Sequence, residues 1–342
     1  MQKYDFIDSH INGIKLKKYS HEALNIRTAE DFKIQALLTF QFQYENVPVY
    51  KQFVDYLGVN PESVQEIEQI PFLPITIFKS HQVIARGCDA ETIFKSSGTT
   101  GMTRSVHHIH RLDVYEKSFI NGFEAFYGHI TDYTILALLP SYLSQGESSL
   151  VYMFDRLIKL SRNEDSGFYL NDYDQLVSKL TDLEAKGEKV ILLGVSYALL
   201  DIIEQYDLKL NHTIVMETGG MKGRRKEMVK EELHRVLKAG FGVDQIHSEY
   251  GMTELLSQAY SKGDGIFETP PWMKIMIRDA TDPLTWVAQN QSGGISVIDL
   301  SNYYSCSFIA TQDLGKKTSE STFEILGRFD DTDVRGCNLL LA

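Results

Sequence analysis

Cysteine is scarce in this chain. There are three in 342 residues, Cys88, Cys306 and Cys337, and they lie far apart. That spacing argues against a disulfide framework and a zinc site, and it suits a reducing cytoplasm. Long apolar runs are missing too, and the start, Met1-Gln2-Lys3-Tyr4-Asp5-Phe6, is polar. Neither a signal peptide nor a membrane span is expected. Positive charge is in deficit, with 34 Lys and Arg against 46 Asp and Glu, a net charge of −12. This disfavours a nucleic-acid surface. The longest basic run, Lys222-Gly223-Arg224-Arg225-Lys226, is too short to reverse it and reads as a solvated loop and helix start. No internal repeat, linker or low-complexity segment breaks the chain. With 43% hydrophobic and 23% charged residues, it has the composition of a globular cytoplasmic enzyme.

Local patterns predict alternating helices and strands. Residues 20–57 read as helical, through Phe32, Ile34, Leu37, Leu38 and Phe40. Pro61 to Pro74 reads as an extended connector. Strands are predicted at Ile135–Leu139, Val190–Gly194, Thr213–Met216 and Gln245–Tyr250. Helices are predicted at 149–160, 196–204 and 225–239. From Trp272 onward the pattern changes to short strands, at 275–278, 294–299, 308–311 and 322–327. The expectation is an α/β fold, a mostly parallel sheet flanked by helices, with a small β-rich layer. Ligands of such sheets bind at the carboxyl ends of the strands.

Those ends carry the residues of interest. A short strand, Glu91–Phe94, opens into Lys95-Ser96-Ser97-Gly98-Thr99-Thr100-Gly101. A run of hydroxyls and glycines offers N–H and O–H donors to an anion such as a polyphosphate; a flexible surface turn has the same composition. It is not a Walker A loop, because Met102-Thr103-Arg104 follows where Gly-Lys-Ser/Thr is needed. Tyr250-Gly251-Met252-Thr253-Glu254 ends a second strand. Glu254 suits Mg²⁺, Thr253 a phosphate and Tyr250 a base, although an acid at a helix start is also common. Asp313-Leu314-Gly315 and Gly327-Arg328-Phe329-Asp330-Asp331 pair a carboxylate with an arginine, which suits ribose hydroxyls or an exposed turn. His107, His108 and His110 alternate faces along a strand without accompanying acids. They are read as structural, with one near the phosphate site.

The ordered set resembles the adenylate-forming superfamily, and most closely the LuxE-type acyl-protein synthetases, with phenylacetate-CoA ligases as more distant relatives. Glu217-Thr218-Gly219-Gly220-Met221-Lys222-Gly223 and Asp333-x-Arg335-Gly336-Cys337 narrow the match. The resemblance implies a large AMP-binding domain over 1–327 and a short tail over 328–342. It implies that Ser96, Ser97, Gly98, Thr99, Thr100 and Gly101 wrap the ATP phosphates, with Thr99 and Thr100 catalytic. Gly219, Gly220 and Gly251 would line the nucleotide slot, with Tyr250 on the adenine. Thr253 would meet the α-phosphate, Glu254 would ligate Mg²⁺, and Asp313 and Arg328 would bind the ribose. Ser141, Gln145, Gly146, Gly194, Val195 and Ser196 would line the acyl channel, although small residues there also permit close packing. The implied chemistry is activation of a carboxylic acid, a fatty acid in the closest family, as acyl-AMP.

The chain departs from the wider superfamily in two places. Arg104 stands where a Lys usually follows the phosphate loop, and the chain ends fifteen residues after Gly327. No mobile C-terminal domain of about a hundred residues, with its catalytic Lys, is therefore expected. In LuxE-like proteins a cysteine near the C-terminus accepts the acyl group. Cys337 matches that position, with Arg335 beside it to favour the thiolate; a buried cysteine is the plainer reading. Coenzyme A is the alternative acceptor. A reductase, a thioesterase or an acyl carrier protein would be the partner. An inactive nucleotide- or carrier-binding protein on the same fold is the reading from another class.

Overall fold

Helix starts and stops follow local chemistry. The computed structural model describes residues 10–11, 14–15, 24–97, 103–139, 147–170, 172–220, 225 and 228–329. Strands β1 (His10–Ile11) and β2 (Ile14–Lys15) form a small ribbon. Helix α1 (Ala29–Asn46) starts at a capping box in which Thr28 and Asp31 satisfy each other's backbone N–H. Pro48 then forces a break, because it biases Val47 away from the helical region. The expected single helix over 20–57 is therefore two, α1 and α2 (Pro48–Tyr56). The connector after them makes short 3₁₀ turns and strand β3 (Leu73–Pro74).

Strand β4 (Thr92–Lys95) pairs antiparallel with β5 (Val106–Ile109), so the hydroxyl and glycine run bridges a hairpin. Then follow α3 (Leu112–Tyr127), β6 (Thr134–Leu138), α4 (Ser149–Ser161), β7 (Gly167–Phe168), α5 (Tyr173–Lys186), β8 (Val190–Val195), α6 (Ser196–Gln205), β9 (Thr213–Thr218) and α7 (Lys230–Phe241). The last helix begins five residues later than predicted. Arg225 lies ahead of it, ion-paired to Asp201 and Glu204 of α6 and not merely solvated. The remaining strands are β10 (His247–Tyr250), β11 (Ala259–Ser261), β12 (Ile266–Glu268), β13 (Met273–Arg278), β14 (Ser292–Asp299), β15 (Phe308–Lys317) and β16 (Thr322–Arg328).

One 12-stranded sheet runs β13-β14-β15-β16-β12-β11-β10-β9-β8-β6-β7, with β3 added beside β15. Strands β7, β6, β8, β9 and β10 are parallel. From β10 to β11 the pairing turns antiparallel and stays so to β13. The β-rich part is thus continuous with the parallel part. Strands β6 and β8 are buried at every position, as a sheet covered on both faces requires. One apolar core packs α3 to α7 on the parallel half. A second packs α1 and α2 against β13 to β15. No helix among the described residues is long and apolar enough to cross a membrane.

The fully buried Gln43 of α1 stitches the second core together. Its amide donates to the carbonyls of Asn302 and Tyr303 at 3.0 and 2.8 Å, and its oxygen accepts from Ser307 N at 3.0 Å. Gln43→Leu strands these buried groups, so we expect a loss of about 3 kcal/mol. In urea this appears as a lower midpoint with an unchanged slope.

Candidate functional site

The predicted site residues converge at the carboxyl ends of β8, β9 and β10 and on the neighbouring β15–β16 pair. Gly219 and Gly220 form an exposed turn after β9, and Gly219 has φ +66°, a conformation that favours glycine. Ser196, at the start of α6, donates to the Gly219 carbonyl and to Glu217, both at 3.2 Å. Its neighbours are tightly packed. Val195 is buried, and Leu199 lies 2.7 Å from where a Gly194 Cβ would sit. The end of β8 and the start of α6 are thus closely packed at Gly194, Val195 and Ser196.

Tyr250 ends β10. Its ring meets Phe267 and Phe323 edge-on, and its hydroxyl donates to Asp313 Oδ2 at 2.8 Å. Asp313 and Arg328 are register partners across β15 and β16, and Arg328 Nε lies 3.3 Å from Asp313 Oδ1. Burial pushes the Asp313 carboxyl above its ordinary value, against the pull of Arg328. The guanidinium is 70% exposed, so the pair contributes little stability. The pair thus presents one largely buried acceptor and one exposed cation.

The loop after Tyr250 is held from below. His107 of β5 places Nδ1 2.8 Å from the Thr253 carbonyl and Nε2 3.1 Å from Asn302 Oδ1. Burial lowers its pKa to about 4, so the ring is neutral near pH 7. Asn302 in turn donates to the Glu254 carbonyl at 2.7 Å. Asp299, fully buried, accepts from the Leu256 and Ser257 amides at 2.7 and 2.9 Å and from the Ser257 hydroxyl at 2.6 Å. The Glu254 carboxyl is 5% exposed. Burial raises its pKa, while a hydrogen bond from Ser105 and the charge of Arg328 act to lower it.

At the neck of the β4–β5 hairpin, Ser96 Oγ accepts from Ser105 N at 2.9 Å. Arg104 donates to the Ser96 carbonyl at 2.5 Å and lies 3.7 Å from Glu147, which also holds Lys95. Ser97 is exposed beside it. Gly98, Thr99, Thr100, Gly101, Ser141, Gln145, Gly146 and Cys337 lie outside the described residues. A cavity of about 320 Å³ opens among Phe53, Ile70, Phe72, Leu284, Trp286 and Phe329. None of its lining comes from the ends of β8, β9 or β10.

Comparison with known proteins decides the family. The family model described as acyl-protein synthetase, LuxE, matches residues 148–342, more than half of the chain. This chain belongs to the LuxE acyl-protein synthetase family. No curated protein matches it. Among solved structures, ATP-bound MatB from Rhodopseudomonas palustris is similar with a TM-score of 0.54 and 20% identity, over 72% of this chain and 49% of MatB. This chain therefore spans about half the length of MatB. A 2-hydroxyisobutyryl-CoA ligase in its postadenylation state, complexed with 2-HIB-AMP, is similar with a TM-score of 0.67 and 12% identity, over 91% of this chain and 70% of the ligase. The same ligase with 2-HIB-AMP and CoA matches at a TM-score of 0.65. At these identities the likeness shows a shared fold.

Two acids in this LuxE-family chain escaped the sequence reading. Glu217 and Glu249 end β9 and β10 and are almost fully buried. Burial raises Glu217, but Lys230 at 2.5 Å and hydrogen bonds with His234 and Ser248 outweigh it and bring it to about 2. Among the described residues no cation forms an ion pair with Glu249. Burial pushes it up to about 7, with Thr218 as its hydrogen-bond partner and Glu217 adding repulsion. The available signal was an acid inside a buried strand pattern, since buried acids are rare unless paired.

The folded state binds the Glu249 proton more tightly than the unfolded chain does between about pH 4.5 and 7. Stability from this group therefore falls as pH rises through that window. Glu249→Gln does not titrate. Its stability relative to wild type is expected to rise by on the order of 2 kcal/mol between pH 4.5 and 7.5. Urea titrations at both pH values measure this; a constant difference contradicts it.

Proposed function

We propose that this chain activates a carboxylic acid with ATP. A carboxylate oxygen attacks the α-phosphorus, the bond to the bridging oxygen breaks, and pyrophosphate leaves as acyl-AMP forms. A thiolate then attacks the acyl carbon, a thioester forms, and AMP leaves. The observation that carries the reading is the joint placement of Gly219, Gly220, Tyr250, Thr253, Glu254, Asp313 and Arg328 at one rim of the sheet, in a LuxE-family chain.

On this reading Gly219 and Gly220 leave room for the adenine beside Tyr250, and Asp313 and Arg328 take the ribose; the space that Gly251 leaves is filled by Glu249 and Gln258. Asp313 suits hydroxyl donors because one of its oxygens already accepts from Tyr250. Thr253 presents its hydroxyl to the α-phosphate, held in place through its carbonyl. Ser96, Ser97, Gly98, Thr99, Thr100 and Gly101 wrap the phosphates, and Ser141, Gln145 and Gly146 extend the acyl channel. Both reactants are anions, so catalysis rests on charge neutralisation and in-line positioning.

Mg²⁺ would neutralise phosphate charge. Among the described residues no three His, Cys, Asp or Glu side chains cluster as ligands for it. Mg²⁺ bound to nucleotide needs only one or two protein carboxylates, and the buried Glu254 beside Arg328 and Asp313 fits that need. The acceptor thiol is assigned to Cys337, with coenzyme A or a carrier protein thiol as the alternative. A fatty acid is the substrate that the family resemblance suggests.

Acid-dependent exchange of pyrophosphate into ATP tests the first step. Exchange should appear with at least one acid in a panel from acetate to palmitate, and Glu254→Gln should slow it about 100-fold. Nucleotide binding without exchange for any acid would leave a binding protein instead. Cys337→Ser should keep exchange but lose covalent acyl label on the protein; label retained through Cys337→Ser sends the acyl group elsewhere.

A further inference from the structure

Polar side chains collect on one side of the β10–β11 turn. Glu249 pairs with Thr218 of β9 and with Tyr260 of β11 in the sheet register, so the three side chains share a face. One carboxylate oxygen of Glu249 accepts from Thr218 at 2.5 Å. The other, Oε1, has no partner among the described residues and lies beside Gly251, 2.5 Å from where a Cβ would sit. The Gln258 amide nitrogen lies 3.7 Å from that same point. Gln258 is 5% exposed, and its amide has no partner among the described residues. The buried Tyr260 hydroxyl is unpartnered among the described residues, and burial with the charge of Glu249 raises its pKa.

Of these atoms only the Tyr260 hydroxyl is wholly enclosed without a partner among the described residues, and native interiors seldom leave such a group unpaired. These side chains gather directly beneath the glycine that precedes Thr253 by two residues. They face α3, whose Phe126 and Tyr127 rings pack against Tyr260, and not the Asp313–Arg328 side occupied by Tyr250. If the rim of β8 to β10 is the adenylation site, this second face lies next to the reacting centre and away from the nucleotide.

We propose that Glu249, Gln258 and Thr218 form an acyl-selectivity site that takes a hydrogen-bond donor carried by the acid. The preferred substrate is then a fatty acid that carries a hydroxyl or amino group, favoured over the unsubstituted chain. The inference rests on the adenylation reading above. Glu249 Oε1 accepts the hydrogen, and the Gln258 amide meets the same group from the side. An unsubstituted chain laid against Glu249 removes water from that oxygen and gives nothing back. The penalty for an unpaired buried acceptor is about 10- to 100-fold in selectivity.

The test is pyrophosphate exchange by the whole protein with hexanoate and dodecanoate and their hydroxy and amino derivatives. At least one derivative should exceed its parent acid by about tenfold or more in kcat/KM. Glu249→Leu should abolish or invert that ratio. Glu249→Gln, which keeps the shape, should spare hydroxy acids and lose amino acids if the donor is an ammonium. Ratios within one protein are independent of its folded fraction. Parent acids equal to or better than every derivative, with ratios unmoved by Glu249→Leu, overturn the selectivity site and leave the adenylation reading standing. No exchange with any acid removes both.

Discussion

The buried carboxylate of Asp299 holds the site together. It sits at the end of β14, fully enclosed, and accepts from two consecutive amides of the loop that follows β10. Two turns of unrelated sequence are thereby fixed to each other across the change from parallel to antiparallel pairing. Asn302 and His107 complete the clamp from the same side. These contacts act on the backbone carbonyls of Thr253 and Glu254, so they fix the loop without engaging the Thr253 hydroxyl or the Glu254 carboxyl. Burial raises the Asp299 carboxyl, and four hydrogen bonds hold it down. A group so enclosed has little freedom to move, which suits a loop that must be in place before a ligand arrives.

Charge is arranged in layers around that loop. Glu217 is neutralised by Lys230, so the end of β9 carries no free acid. Arg328 stands exposed at the rim over Asp313. Glu254 and Glu249 are buried with no directly paired cation among the described residues, and both are pushed upward by burial. Buried acids of this kind cluster at functional sites. On the proposed reading they face different ligands, Glu254 the phosphates and metal, and Glu249 the acid's tail.

Much of this was legible in the sequence because it is local. Strand ends, the two glycine turns, and the run from Tyr250 to Glu254 are written in a few adjacent residues. The resemblance to the LuxE family rested on those runs and on Ser96 to Gly101, and the family match, over residues 148–342, covers all but the last of these. The clamp was not legible. Thr253 and His107 are 146 positions apart, and His107 and Asn302 are 195 apart. No periodicity connects them, and Asn302 reads like any turn residue. Helix α3 was missed because aromatic and polar residues dilute its apolar stripe. The single helix expected over 20–57 failed at Pro48, where the breaker was present in the sequence but weighed less than the flanking periodicity. The β-rich strands were seen, but their continuity with the parallel sheet depends on β11 and β12, each three residues long.

The account stands on attack by a carboxylate at the α-phosphorus. Supplying an acid labelled with ¹⁸O in its carboxyl group, with ATP and a thiol acceptor, tests it directly. Mass spectrometry of the products should find one labelled oxygen in AMP and none in pyrophosphate. Label in inorganic phosphate, with ADP as the nucleotide product, would place the attack at the γ-phosphorus and contradict the account.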